Sequence, residues 1–600
     1  MHAPTRDQLL SQATRFLTRP WAVLTATGYG RFHKDGDRLA YERPYFARRN
    51  RLAAALLTAA LAGPSEERLD EIIDGVWLLC EETSWCVPAT NLFARQAGQP
   101  LPDPAQPFID LFAAETAALL AYTDVLAGDL LGTVVRRRLR DEVKARVLGP
   151  YRDSDQWWWF GLRKKDLNNW TPWIHSNLLV ASLLLDDQPQ AIVVTAQRAV
   201  GALDRYLDAV PDDGGCDEGI NYWWRAGGSL YECLETLSSA CGDDYGVFEI
   251  QQVRAIARYP LIAHIAGKQH VNFADASPEP YGSTPHVLYG FGRRIGDREV
   301  MRQARALRGD HTAAAELISG SHGSIARPLR AMFDTEWANE PPCPFPMMLQ
   351  AWLSDTGVLT ARSRAGRADG LFLAAKAGHN AESHNHNDVG SFIIALDGRP
   401  LIIDVGVGVY TRQTFGPDRY EIWTMQSSWH NVPEVDGFAQ EPGREHAAGQ
   451  VQGLLCAGAA ELSMDIAAAY PRPARIRSWH RTIRLDRGGT DDGKILIEDS
   501  WDIGDAPERL VVHLIAAGQP RPVAPGRLVI AAPDRPAASQ NNARDLAIDY
   551  SQADFEAHIE QRPVDDSQLA SIWGPSIYRI ILAARHPASR GTVQVEIAVV

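Results

Sequence analysis

The residues with the plainest chemical purpose are His384 and His386, one apart in the run His384-Asn385-His386-Asn387-Asp388. On an extended strand alternate side chains leave the same face, so both imidazoles can serve one site. Asp397-Gly398 signals a hairpin, and the alternation resumes behind it, so Asp404 on the returning strand comes level with His386. Farther on, Trp429 precedes His430 and Asn431. Two imidazoles and one carboxylate suit zinc, which takes nitrogen and oxygen ligands in a tetrahedral shell. The expected ligands are His386, Asp404 and His430, which leaves His384 beside the metal and free to touch substrate. A hydrogen-bonded histidine pair without metal is the competing reading, and the addition of Asp404 and His430 favours the metal.

The elements that must position these residues differ between the two halves. Up to about residue 325 the texture is helical, with apolar stretches at 52–57, 69–80, 108–131, 134–148 and 178–185 separated by Gly, Pro and Asp clusters. Helix pairs with short connections suggest a toroid or solenoid of helical hairpins, although no literal sequence repeat is present. The run Pro341-Pro342-Cys343-Pro344-Phe345-Pro346 cannot continue a helix and marks a junction. Beyond it, short alternating or β-branched runs at 371–373, 391–396, 476–485, 494–497, 510–515, 577–583 and 593–600 read as an antiparallel sandwich. The expected fold is thus a helical toroid or solenoid over residues 1–335 followed by an antiparallel β-sandwich over 336–600.

Segment 382–437 resembles the heparinase II/III-like family of polysaccharide lyases, in which His-x-His-x-Asp is followed by an Asp-x-Gly turn and by His-Asn ahead of Val-Asp-Gly. Here these read His384 to Asp388, Asp404-Val405-Gly406, His430-Asn431 and Val435-Asp436-Gly437. The resemblance implies a toroid plus sandwich, β-elimination on uronic-acid polysaccharides, a structural zinc on His386, Asp404 and His430, and a catalytic His384. It extends to 165–225, where Asn168-Asn169-Trp170-Thr171-Pro172-Trp173-Ile174-His175 and Asp217-Glu218-Gly219-Ile220-Asn221-Tyr222-Trp223-Trp224 match places where the family keeps active-site residues. It makes Asn169 a partner of the substrate carboxylate and Tyr222 the proton donor to the leaving oxygen. Several members carry His directly after the paired Asn, where this chain has Trp170. The base is therefore assigned to His384 or Tyr222 itself, ahead of His175. Tyr410 falls where some members have a second active-site tyrosine, and Arg419 could pair a carboxylate bidentately.

The reaction explains these residue types. Removing the proton beside a uronate carboxylate builds enolate-like charge, which an amide or imidazole donor can neutralise. A base takes the C5 proton and an acid protonates the departing oxygen. Tyrosine can do either, and a neighbouring cation would lower its pKa. Tryptophans 157, 158, 159, 170, 173, 223 and 224 crowd these motifs. Most are expected in the toroid core, while Trp170 and Trp223, with Arg225, are the expected sugar contacts.

Composition narrows the function classes. A length of 600 residues holds two or more domains, and 45% apolar with 22% charged residues is ordinary for a globular protein. A net charge of -14 argues against nucleic acid but leaves room for a locally basic cleft that binds an acidic sugar. The first residues lack a secretory pattern, and no apolar run is long enough for a membrane span. Seven scattered cysteines fit a reducing compartment, so a cytoplasmic setting is expected. The expected partner is an acidic oligosaccharide or polysaccharide, with no nucleic acid and no membrane, and homodimerisation is left open. Alternative functions are a glycoside hydrolase on an (α/α) toroid and a catalytically silent carbohydrate-binding protein. Against the hydrolase, Asp217 and Glu218 are adjacent and on a helix would point about 100 degrees apart.

Overall fold

The computed structural model describes residues 3–163, 165–309, 325–489, 492–531 and 544–600. The chain divides into two compact units that are not consecutive in sequence. The first comprises Met1–Val210, Trp223–Ala257 and Gly282–Pro344; the second comprises Pro211–Tyr222, Arg258–Tyr281 and Phe345–Val600. The expected linear split at 335/336 is thus replaced by an interleaved one, because two short segments inside the helical half pack with the strands. Among the described residues no helix is long and apolar enough to cross a membrane.

The first unit is helical. Its main helices are α1 (Leu39–Ala62), α2 (Glu66–Cys80), α3 (Leu111–Ala127), α4 (Trp170–Leu185), α5 (Pro189–Ala209), α6 (Gly227–Cys241) and α7 (Ala326–Phe333). Their burial falls into two kinds. Helices α3 and α4 are apolar almost all round and buried on nearly every face, as inner helices of a layered bundle must be. Helix α5 buries only Thr195, Ala199, Ala202, Leu203 and Tyr206, a single stripe at helical spacing, and so lies on the outside. Helix α3 packs against both α1 and α4, and α4 packs against α5 and α6. The starts are set by caps: Ser65 Oγ accepts from Arg68 N, and Asp110 Oδ1 accepts from Phe112 N and Ala113 N.

The second unit is a sandwich of two antiparallel sheets. The strands are β1 (Gln350–Leu353), β2 (Val358–Arg362), β3 (Leu371–Lys376), β4 (Phe392–Leu396), β5 (Arg399–Ile402), β6 (Pro433–Val435), β7 (Gly449–Leu455), β8 (Ala459–Asp465), β9 (Ile476–Asp486), β10 (Lys494–Ile503), β11 (Leu510–Ala516), β12 (Pro520–Ala524), β13 (Arg527–Ile530), β14 (Leu546–Tyr550), β15 (Phe555–Pro563), β16 (Ser576–Ala584) and β17 (Arg590–Val599). One sheet runs β15-β16-β11-β5-β4-β3-β2-β1 with β6 added beside β11, and the other runs β7-β8-β9-β10-β17-β14-β13-β12. Strands β9 and β10 alternate buried with half-buried or exposed residues, so one face is wetter than the other. Strands β3, β4 and β11 are buried on both faces. Their inner face joins Phe392, Ile394, Trp479 and Ile497 in the inter-sheet core. On the opposite side Ile403, Val405, Trp429, Ile515 and Leu569 form a second apolar cluster.

Two local features place the site. The β4–β5 hairpin turns on Asp397 and Gly398, both at positive φ (52° and 77°), as a tight primed turn requires. Asn431 then stitches three segments, donating Nδ2 to Phe392 O (2.6 Å) and Ile403 O (3.1 Å) while its Oδ1 accepts from Ile515 N (2.6 Å). These bonds fix the loops that carry Asp404 and His430.

Candidate active site and metal triad

All residues of this site belong to the second unit. His386, Asp404 and His430 converge, each fully buried, with one ligand atom apiece within 4.8 Å of the others. The outer nitrogen of each imidazole is engaged elsewhere: His386 Nε2 with Asp275 Oδ1 at 3.0 Å, and His430 Nε2 with Thr424 O at 3.1 Å. Donation by one nitrogen to a carboxylate or carbonyl leaves the other as a lone pair for a metal. His386 Nδ1 is buried with no partner among the described residues, and His430 Nδ1 faces Asp404 Oδ2 at 3.0 Å. Asp404 Oδ1 accepts from Gly406 N at 2.8 Å, which fixes the carboxylate. Two lone pairs and a carboxylate oxygen turned toward one point fit a divalent cation with nitrogen and oxygen preference.

The expected extended strand through His384 and His386 does not form. Residues 381–390 are turns and coil, and His384 is left-handed at φ 59°. Both imidazoles nevertheless reach a single carboxylate, Asp275, which spacing did not reveal. Asp275 is fully buried and takes four hydrogen bonds: from His384 Nδ1 (2.8 Å) and Tyr410 Oη (3.0 Å) on Oδ2, and from His386 Nε2 (3.0 Å) and Arg419 Nη2 (2.8 Å) on Oδ1. Burial alone would raise its pKa, but the bonds from His384 and His386 and the charges around it hold it well below the usual carboxylate range. Ala274 beside it is also left-handed, at φ 61°. A non-glycine residue there costs on the order of 1 kcal/mol.

Tyr222 completes the chain. Its hydroxyl lies 2.7 Å from that of Tyr410, and its ring stacks on His384 with centroids 4.2 Å apart. Since Tyr410 donates to Asp275, Tyr222 donates to Tyr410. Burial and the Asp275 charge push the Tyr222 pKa well above the tyrosine value, so the hydroxyl keeps its proton. His384 Nε2 stands 3.4 Å from Glu218 Oε2. Burial opposes charge on His384, but the bonds to Asp275 and Glu218 outweigh it and raise the pKa to about 9. The loop is clamped from below by Lys376, buried in β3, whose Nζ meets Glu382 Oε2 at 2.8 Å and Asp388 Oδ1 at 2.5 Å.

Other expected site residues have different roles. Arg419 is committed to Asn385 O, Thr414 O and Asp275, so its fork faces protein acceptors rather than a bidentate ligand. In the helical unit, His175 is fully buried against Tyr151, Trp159 and Phe160, with Nδ1 on Thr171 O at 2.7 Å, and burial lowers its pKa to about 4. It is a core histidine, not a base. Trp223 is 1% exposed and donates Nε1 to Ile256 O, which makes it core rather than a sugar platform. Trp170 is half-buried against Trp158, Asn169 is buried at the start of α4, and Arg225 lies over Trp173 near Glu115. Asp275 lies 109 positions ahead of His384, in a segment without periodicity, so only the folded chain reveals it.

Residues 350–589 match the family described as Heparinase II/III-like, C-terminal. No curated protein matches the chain in sequence. Among solved structures, Heparinase III is similar at 12% identity, covering 94% of this chain and 77% of its own, with a TM-score of 0.62. A mutant of the heparan sulfate lyase HepC from Pedobacter heparinus gives 14% identity, 93% and 77% coverage and a TM-score of 0.60. The Streptomyces coelicolor A3 chondroitin AC lyase, in complex with chondroitin sulphate, gives 10% identity, 99% and 82% coverage and 0.55. These likenesses carry the fold, a helical toroid joined to an antiparallel β-sandwich. Residues 350–589 thus form a domain of the Heparinase II/III-like, C-terminal family, in a chain whose fold is shared over nearly its full length with the solved lyases.

Proposed function

We propose that this protein is a polysaccharide lyase that cleaves a uronic-acid glycosidic linkage by β-elimination and leaves a 4,5-unsaturated sugar. The observation that carries the reading is the Tyr222–Tyr410–Asp275–His384 chain, a protonated tyrosine stacked on a histidine whose Nδ1 is held by a buried carboxylate. Such a carboxylate fixes the imidazole tautomer and turns Nε2 toward Glu218. In the proposed reaction neutral His384, its Nδ1–H held by Asp275, takes the C5 proton on Nε2. The C4–O bond breaks as the C4–C5 double bond forms, and Tyr222 gives its proton to the leaving oxygen. The alternative of hydrolysis needs two carboxylates facing one bond. Here Asp275 is saturated by four donors and Asp404 belongs to the histidine triad.

Zinc is the proposed metal, held by His386, Asp404 and His430, where it would tie three loops of the sandwich together. The heparan sulfate and chondroitin sulphate lyases of like fold support an acidic polysaccharide as substrate class. Exo action on short oligosaccharides is part of the proposal and follows from the expected cytoplasmic setting; sizing the products of a defined long oligosaccharide tests it, and internal fragments would refute it. The central experiment is a panel of heparan, chondroitin, hyaluronan, alginate and pectic oligosaccharides followed by ultraviolet absorbance of the conjugated product, with wild type and Tyr222→Phe. Absorbance growth that disappears in the variant is expected. Cleavage without absorbance would show hydrolysis and end the lyase reading.

A further inference from the structure

The helical unit holds a polar cavity among α3, α4, α6 and α7, where apolar packing is otherwise continuous. Three arginines and two glutamates line it: Arg225, Arg327, Arg330, Glu115 and Glu232. Two of them satisfy each other, since Arg327 Nε and Nη2 donate to Glu232 Oε1 and Oε2, both at 2.9 Å. Glu115 accepts from Trp173 Nε1 at 2.9 Å. What is left over is donor capacity. Arg225 lies over the Trp173 ring, 4.7 Å from its centroid, and stands 3.6 Å from Glu115, beyond a hydrogen bond. Arg330 donates Nη2 to Thr236 Oγ1 at 2.8 Å, and its Nη1 is buried with no partner among the described residues.

Electrostatics point the same way. Desolvation and the neighbouring Arg327 charge bring the Arg225 pKa down to about 10, the mark of a cation short of negative charge. Size selects the occupant. The cavity has a volume of about 20 Å³, which exceeds the ~10–15 Å³ that one water needs. A space that holds little more than one water does not admit a sugar ring.

We propose that this cavity is a binding site for one compact anionic group, a halide or a sulfate or carboxylate, gripped by the guanidinium groups of Arg225 and Arg330. The group is either a free ion or a substituent that a sugar inserts while its ring stays outside. The inference stands apart from the lyase reading, because it uses no residue of the histidine site.

Chloride NMR line broadening on the full-length protein tests it. Excess broadening that saturates and is displaced by sodium sulfate is expected in the wild type, with at least a tenfold loss of affinity in Arg330→Gln and in Arg225→Gln. Displacement by galacturonate as well as sulfate assigns the site to a sugar-borne group, and displacement by sulfate alone assigns it to a free ion. Absence of saturable broadening in the wild type, or equal broadening in variants shown folded by circular dichroism, overturns the proposal and leaves the cavity to water. Should both variants fail to fold, a saturable rise of the wild-type melting temperature with sulfate at constant ionic strength, on the order of 2 °C, decides; a flat curve refutes.

Discussion

Replacing Asp275 should damage two functions at once, and the size of each effect can be worked from its four bonds. In Asp275→Ala, His384, His386, Tyr410 and Arg419 all lose their common acceptor. A buried donor left unsatisfied costs about 1–3 kcal/mol, and removing one partner of a buried ion pair costs about 3–5 kcal/mol. These terms overlap, because water entering the space left by the carboxylate satisfies some of the donors. A net loss of about 3–5 kcal/mol is expected for the sandwich unit. Asp275→Asn keeps the shape and one acceptor oxygen, so about 1–3 kcal/mol should be lost. In that variant the outer partner of His386 is weakened, and metal affinity should fall about 10–100-fold. Urea unfolding followed by tryptophan fluorescence, with elemental analysis of the purified variants, reads both quantities. Should Asp275→Ala unfold within about 0.5 kcal/mol of wild type and carry the same metal, the carboxylate is not the organiser described above.

Removing the metal by chelation, or substituting His386→Ala or Asp404→Ala, should lower the melting temperature of the sandwich; an unchanged transition in a protein purified without metal would count against the triad. Lys376→Met strands Glu382 and Asp388 without their shared cation and should cost about 3–5 kcal/mol by urea unfolding, and a change under about 1 kcal/mol would contradict the clamp. His175 gives a pH signature in the helical unit: its folded pKa of about 4 lies below the ordinary value of 6.5. The unfolded chain therefore binds the proton more tightly, so stability is full above about 6.5 and falls by about 3 kcal/mol as pH drops toward 4. His175→Gln should flatten that acid limb, and an unaltered slope would refute the assignment.

The legible parts of the sequence were those where one periodicity acts on one surface. Strands β9 and β10 show as alternation because only one face is dry, and β3 and β4 show as short apolar runs because both are. His386 and Asp404 could be paired across the hairpin at Asp397-Gly398, and His430 joined them through the family resemblance. His384 was misplaced on a strand, since nothing in Asn385 or Asp388 announces a left-handed residue. Asp275 stayed hidden because its partners come from distant segments. Trp223 and His175 looked functional beside Tyr222 and Asn169, and only burial separates a core ring from one that meets a ligand.

The interleaving of the two units bears on how this protein can be cut and recombined. Tyr222 and Asp275 sit on segments that interrupt the helical part of the gene, whereas His384 and the triad follow the Pro341-to-Pro346 junction. A fragment expressed from residue 345 onward would inherit the imidazoles without the carboxylate that orients them or the tyrosine beside them. The matched span of 350–589 likewise leaves both residues outside. Any exchange of C-terminal domains between relatives would hand the proposed base to one parent and the proposed acid to the other, so chimeras should keep activity only when residues 211–222 and 258–281 travel with the strands.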